Sequence, residues 1–232
     1  MRNLAGRLER WAGGPTKADL HRQYSGWDYA QADSHTDWDA EPDGLRSALE
    51  LRATDRPAAF KALLSLAEAG SVVAMVCVGE RYFWERETAA DSGHAEAWLK
   101  RAYEHGSLRA LLSYGTILVW EGDTEAAEKV FRRGAAADWA PAIYQLASLR
   151  LKRPASREAR DEGRALLERA VALGHPAAKW RLARDMARGR FGVRRIPRGH
   201  GLLWGCVKEA LAAWAVQNKA VVRKTASGET LH

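Results

Sequence analysis

The feature that most constrains how this chain can fold is that it repeats itself. Segments beginning at the small residues Ala74, Ala110, Ala142 and Ala178 paraphrase one another at spacings of 36, 32 and 36 residues. The turn ahead of each keeps step, at Gly70, Gly106, Asp138 and Gly174. A period of roughly 20 to 50 residues marks units that cannot bury an apolar face alone and must stack on their neighbours.

Each unit reads as a helical hairpin. Four and five residues after the anchoring alanine come a large residue and a small one: Val78-Gly79, Tyr114-Gly115, Leu146-Ala147 and Leu182-Ala183. The small residue lets a second helix approach closely, and the large one fills the space between helices. The second helix carries an apolar pair and then a small residue: Trp98, Leu99 and Ala102; Val130, Phe131 and Gly134; Leu166, Leu167 and Ala170. Those offsets put all three on one helix face. Gly106 and Gly174 end the second helices in a left-handed conformation that glycine adopts at no steric cost. Asp138 accommodates it less readily, which predicts a different turn in the middle repeat. Helix formers dominate the composition and alternating β-branched runs are nearly absent, so an all-α fold is expected, with essentially no sheet.

At these residues the chain resembles the Sel-1-like repeat family, relatives of the tetratricopeptide repeats. Ala74, Gly79, Tyr82, Trp98, Leu99, Ala102 and Gly106 match its pattern in one unit, and the "ARGRFGV" stretch with Gly189, Gly192 and Val193 matches its distinguishing loop. The resemblance covers about residues 55 to 205 and implies an α-solenoid of Sel-1-like, tetratricopeptide-like helical hairpins. Two departures stand out: a short inter-helix loop in "WEGDTEAAEKVF", and "IPRGHGLLWGCV" where the last second helix should begin. The expected organisation is residues 1–42 as an N-terminal helix and an acidic, aromatic extension, 43–200 as about four repeats, the first degenerate, and 201–232 as a capping helix and tail. Leu4, Leu8 and Trp11 share one face of the expected N-terminal helix, and Ala62, Leu63 and Leu66 mark the second helix of the degenerate unit.

Charge is distributed unevenly. Residues 1–149 carry a net −5 and residues 150–198 a net +10. Such polarity steers anionic partners to one end, or favours head-to-tail contact between copies. The stretch "KWRLARDMARGRFGVRRIPRGH" concentrates arginine, yet no nucleic-acid reader motif accompanies it and the acidic front would repel a long polyanion. Nucleic acid is therefore not the expected partner, and an anionic membrane surface ranks below an acidic protein segment. The apolar run "VVAMVCV" is too short to span a bilayer, and Cys77 and Cys206 suit two reduced thiols, so a cytoplasmic location is expected. The segment holding Tyr24, Trp27, Tyr29 and Trp38 among six acids reads either as a flexible recognition arm or, the favoured expectation, as a stretch of chain folded back onto its own basic rear.

No hydrolase, zinc-protease or nucleotide-binding motif is present, and no cofactor or enzymatic activity is expected. His105 and His175 fall in equivalent turns and read as turn residues. Asp39, Glu41, Asp43, Gly44 and Glu50 fit the spacing of an EF-hand-like loop, but Pro42 and Arg46 depart from it. The alternative is an acidic linker whose Asp43 caps a helix beginning near Gly44. On that reading the chain has no metal site.

The family resemblance implies that the first helix of each repeat lines a concave groove. Positions two, six, nine and ten after each anchor would then face a partner: Val76, Glu80, Phe83 and Trp84; Leu112, Thr116, Val119 and Trp120; Tyr144, Ser148, Leu151 and Lys152; Trp180, Arg184, Ala187 and Arg188. Trp84 and Trp120 share one repeat position and suit anchoring a peptide or helix, acidic-aromatic or apolar in character. The opposing expectation is that both pack as core. The function read from these residues is a protein-binding adaptor or regulator without catalysis; the alternative is an inhibitor or immunity-type protein dedicated to one toxin or enzyme.

Overall fold

The computed structural model describes residues 28, 30–34, 36, 41–85, 89–152 and 156–226. Among them there is no strand. The expected N-terminal helix and the aromatic residues Tyr24, Trp27, Tyr29 and Trp38 lie outside the described residues. The chain divides into two compact units, one within Asp28–Pro154 and one within Ala155–His232. The division falls between the two helices of the third sequence repeat.

The first unit runs through α1 (Gly44–Glu50), a 3-10 turn (Leu51–Ala53), α2 (Arg56–Glu68), α3 (Val72–Trp84), α4 (Ala89–Glu104), α5 (Leu108–Glu121), α6 (Thr124–Ala136) and α7 (Ala140–Lys152). Each helix packs on the next in sequence, and α5 also touches both α3 and α7. Hairpin pairing and contact between alternate helices are what stacked repeats require. The stretch expected to form the degenerate first unit folds as α1 and α2, which bury Leu45, Ala48, Ala59, Leu63 and Ala67.

The glycines predicted to permit close approach do so. A Cβ built on Gly79 would lie 2.6 Å from Leu99 Cγ, and one on Gly134 would lie 2.5 Å from the Ala142 Cβ. The inter-repeat turns are also shared, including the one expected to differ. Ser71, Ser107 and Trp139 each donate a backbone N–H to a carbonyl five residues earlier, at Leu66, Ala102 and Gly134. Asp138 has φ +54° and occupies the place of Gly70 (φ +108°) and Gly106 (φ +88°). The middle turn is therefore not different. This closure fixes the left-handed residue, and aspartate is among the few side chains that tolerate it.

The second unit comprises α8 (Arg157–Ala172), α9 (Pro176–Ala187), a 3-10 turn (Val193–Arg195) and α10 (Ile196–Ala226). The same closure joins α8 to α9, from His175 N–H to Ala170 O. The α9 exit uses it again, from Arg190 N–H to Asp185 O, and Gly189 and Gly192 both take positive φ. Here α10 is one helix across the boundary drawn at residue 200, so the irregular "IPRGHGLLWGCV" and the expected cap are a single element. Gly199 is what lets α10 lie against α9: a Cβ there would sit 2.3 Å from the Ala187 backbone nitrogen.

In three of the first helices the anchoring alanine is the residue whose amide the cap accepts. Ser71 and Ser107 accept the amide N–H of Ala74 and Ala110, three residues on. In the second unit His175 takes that place, its Nδ1 accepting the Ala178 N–H. It thus lies on the other side of the turn glycine from His105 and does a different job. Because serine and alanine have similar volume, comparing His175→Ser with His175→Ala isolates the cap. The serine variant is expected to be more stable by about 1 kcal/mol, measured by denaturant unfolding. Equal stability would show that the cap contributes nothing.

Candidate functional site

The predicted groove positions do not share one environment. In the first unit Val76, Leu112, Phe83 and Leu151 are buried, whereas Trp84 and Trp120 are 63% and 62% exposed. Thr116, Val119, Tyr144 and Ser148 are half-buried, and Lys152 is exposed. Val76, Leu112, Phe83 and Leu151 are therefore core rather than partner-facing. Positions two and nine are seven residues apart and fall on the same helix face. In the first unit position ten is the one of the four that is exposed in every repeat, at Trp84, Trp120 and Lys152.

The exposed tryptophans are anchored from beneath. Phe83 meets Trp84 edge-on at 4.8 Å between centroids and meets Trp120 edge-on at 5.9 Å. The two indoles are thus linked through a buried phenyl ring, which holds a fixed aromatic patch at the C-terminal ends of α3 and α5.

Glu80 is half-buried and already committed. Its Oε1 accepts from Arg109 Nε at 3.1 Å and from Ser113 Oγ at 2.8 Å, and its Oε2 accepts from Arg109 Nη2 at 2.8 Å. Arg109 Nη1 also donates to both carboxylate oxygens of Asp33, at 3.1 and 3.2 Å. Burial works against the Arg109 charge, but Glu80 and Asp33 more than offset it and hold the guanidinium above its ordinary pKa. This triad ties the acidic extension to the acidic front. Glu41 does the same, its carboxylate accepting from Ser71 Oγ and, at 3.0 Å, from the Val73 N–H. Asp33 and Glu41 of the extension thus engage the first unit; the aromatic residues on which the expected docking to the basic rear rested lie outside the described residues.

Those contacts also bear on the acidic loop. Glu41 is spent at the start of α3, Gly44–Glu50 is helical where a calcium loop would wrap, and Asp43 makes no side-chain cap. Asp39 lies outside the described residues. Among the described residues no cluster of His, Cys, Asp or Glu is arranged to hold a metal. Millimolar calcium is expected to leave the melting temperature unchanged, since a ligand stabilises only what it binds preferentially in the native state. An upward shift that vanishes in Glu50→Ala would overturn this.

A cleft that periodicity could not reveal opens beside the aromatic patch. It encloses about 590 Å³ between the α1–α2 connection, α2 and α3. Arg52, Arg56 and Arg81 supply its basic lining, Phe60, Leu63 and Trp84 its apolar lining. Arg81 lies 4.2 Å over the Phe60 ring and pairs with Glu85 at 2.8 Å. Cys77 forms part of the wall; burial, with Glu80 adding, pushes its thiol up to about 11, so it is protonated and unreactive at neutral pH.

In the second unit Trp180 is half-buried, and Arg184 and Arg188 are exposed. Asp185, fully buried, gathers the guanidinium groups of Arg181, Arg184 and Arg190 at 3.7, 3.4 and 3.6 Å. Part of the basic rear is therefore neutralised from within. Among the described residues no helix is long and apolar enough to cross a membrane.

This arrangement has a solved counterpart. The chain is similar in fold to MamA. The two backbones superpose with a TM-score of 0.54 at 16% identity, over 71% of this chain and 96% of MamA. The fold is an α-solenoid of tetratricopeptide-like helical hairpins. No family model matches the sequence, and no curated protein matches it.

Proposed function

We propose that this chain is a Sel-1-like repeat protein that acts as a non-catalytic adaptor, binding a segment of a partner protein on the surface formed by Trp84 and Trp120. One observation carries this reading. Two large aromatic side chains occupy the same repeat position, each more than 60% exposed, over a shared buried phenylalanine. Exposed indoles held rigid are what interfaces use as anchors, because little conformational freedom is lost when they are covered. The positive-φ residues Gly189 and Gly192 support the Sel-1-like assignment, since they lie in the loop that distinguishes that family. The partner is another protein, not a nucleic acid, and the free thiols Cys77 and Cys206 suit a cytoplasmic setting.

The test compares proteins captured by the parent with those captured by a Trp84→Ala/Trp120→Ala variant. Several partners lost together would support the adaptor; a single stoichiometric partner would point to a dedicated inhibitor. Retention of every partner by a folded variant would remove the surface from consideration.

A further inference from the structure

Charge complementarity within the cleft between α2 and α3 specifies what the partner must offer. Each acid in its lining is already matched: Glu80 by Arg109, and Glu85 by Arg81. Asp55 is nearby in sequence but spends Oδ1 on the Ala58 N–H as the cap of α2, and it does not line the cleft. Arg52 and Arg56, in contrast, are exposed and form no ion pair among the described residues. The cleft therefore presents two exposed guanidinium groups with no ion-pair partner among the described residues, beside an apolar lining that includes Phe60 and Leu63. Its wall is shared with the aromatic patch, because Trp84 belongs to both.

We propose that this cleft receives an acidic segment of the partner, with a carboxylate side chain on Arg52 and Arg56 and an adjoining bulky apolar side chain against Phe60 and Trp84. This deepens the adaptor reading and rests on it. Two guanidinium groups match a carboxylate in geometry and charge. A volume of about 590 Å³ holds a few side chains, and the apolar lining rewards a segment that is more than a string of acids. A polyanion such as single-stranded nucleic acid fits less well. Its next phosphates would meet Glu80 and Glu85, and Arg81 already covers one face of the Phe60 ring where a base would stack.

The experiment measures fluorescence anisotropy of a labelled peptide in which Glu and Asp alternate with Leu and Trp. Two controls replace its acids by Lys or its apolar residues by Gly. The parent is expected to bind the acidic-apolar peptide at least tenfold more tightly than either control. Arg52→Glu/Arg56→Glu is expected to weaken it at least tenfold with no change in melting temperature, and Arg52→Ala/Arg56→Ala to do so partially. Equal binding of the Lys peptide, no response to charge reversal, or more effective displacement by an oligonucleotide would each overturn the proposal. Trp120 does not line the cleft, which keeps the two readings separable. If Trp120→Ala loses partner capture while the arginine variants bind peptide as the parent does, the aromatic surface stands and the cleft assignment falls.

Discussion

Gly115→Leu is expected to destabilise the protein by about 3 kcal/mol or more, lowering its melting temperature by about 6 to 12 °C. A Cβ at this position would lie 2.5 Å from both Cε1 and Cζ of Phe131, well inside van der Waals contact. The ring cannot swing away, because Phe131 is among the largest fully buried side chains. Either α6 must move off α5 or the leucine must adopt a strained rotamer, and both disturb a core packed to crystal-like density. Gly93 in α4 is the matched control. Nothing lies within 4 Å of a Cβ built there, so Gly93→Ala is expected to stabilise by up to about 1 kcal/mol through helix propensity alone. Thermal unfolding followed by circular dichroism reads both. A parental melting temperature for Gly115→Leu would mean that α5 and α6 do not pack as described.

Trp84→Ala/Trp120→Ala is expected to abolish partner capture and leave the protein folded. Central aromatic anchors commonly cost about 2 kcal/mol or more each when truncated, or roughly thirtyfold in affinity apiece. Because both rings rest on Phe83, their effects are expected not to add independently. Stability should change little, since more than 60% of each side chain is already in water. Captured partners and the helical signal at 222 nm are measured on the same preparation. If the variant unfolds, the tryptophans are inter-repeat core after all. If it folds and retains its partners, the next surface to examine is the exposed Arg184 and Arg188 of the second unit.

Legibility in the sequence followed the range of each interaction. The anchoring alanines, the glycine turns and the close-packing position at Gly79, Gly115 and Ala147 were readable because a repeat imposes one local environment at a fixed interval. Asp138 was misread because propensity was weighed without the closing hydrogen bond from Trp139 to Gly134 that holds it left-handed. The role of His175 was readable in outline, since it falls where Ser71 and Ser107 fall, but histidine is an uncommon cap and concealed the equivalence. Four groove positions were misassigned at Val76, Phe83, Leu112 and Leu151 because a helical period gives a residue's face but not what lies opposite it.

The sequence by itself determined that this chain is a stack of helical hairpins, where each begins and turns, and which small residues let paired helices touch. Those properties depend on residues within one repeat and on sterics that recur in every copy. Only the tertiary structure decided that position ten, and not positions two or nine, carries the exposed aromatic surface. It alone brought Asp33, Glu80 and Arg109 into one ion triad across 76 residues of chain, and it alone opened the cleft that Arg52 and Arg56 share with Trp84. The physical reason is that a helix face acquires its identity from its neighbours. Which side chains meet across repeats depends on how far each hairpin is shifted and rotated on the last, and that is set by packing rather than by any local pattern.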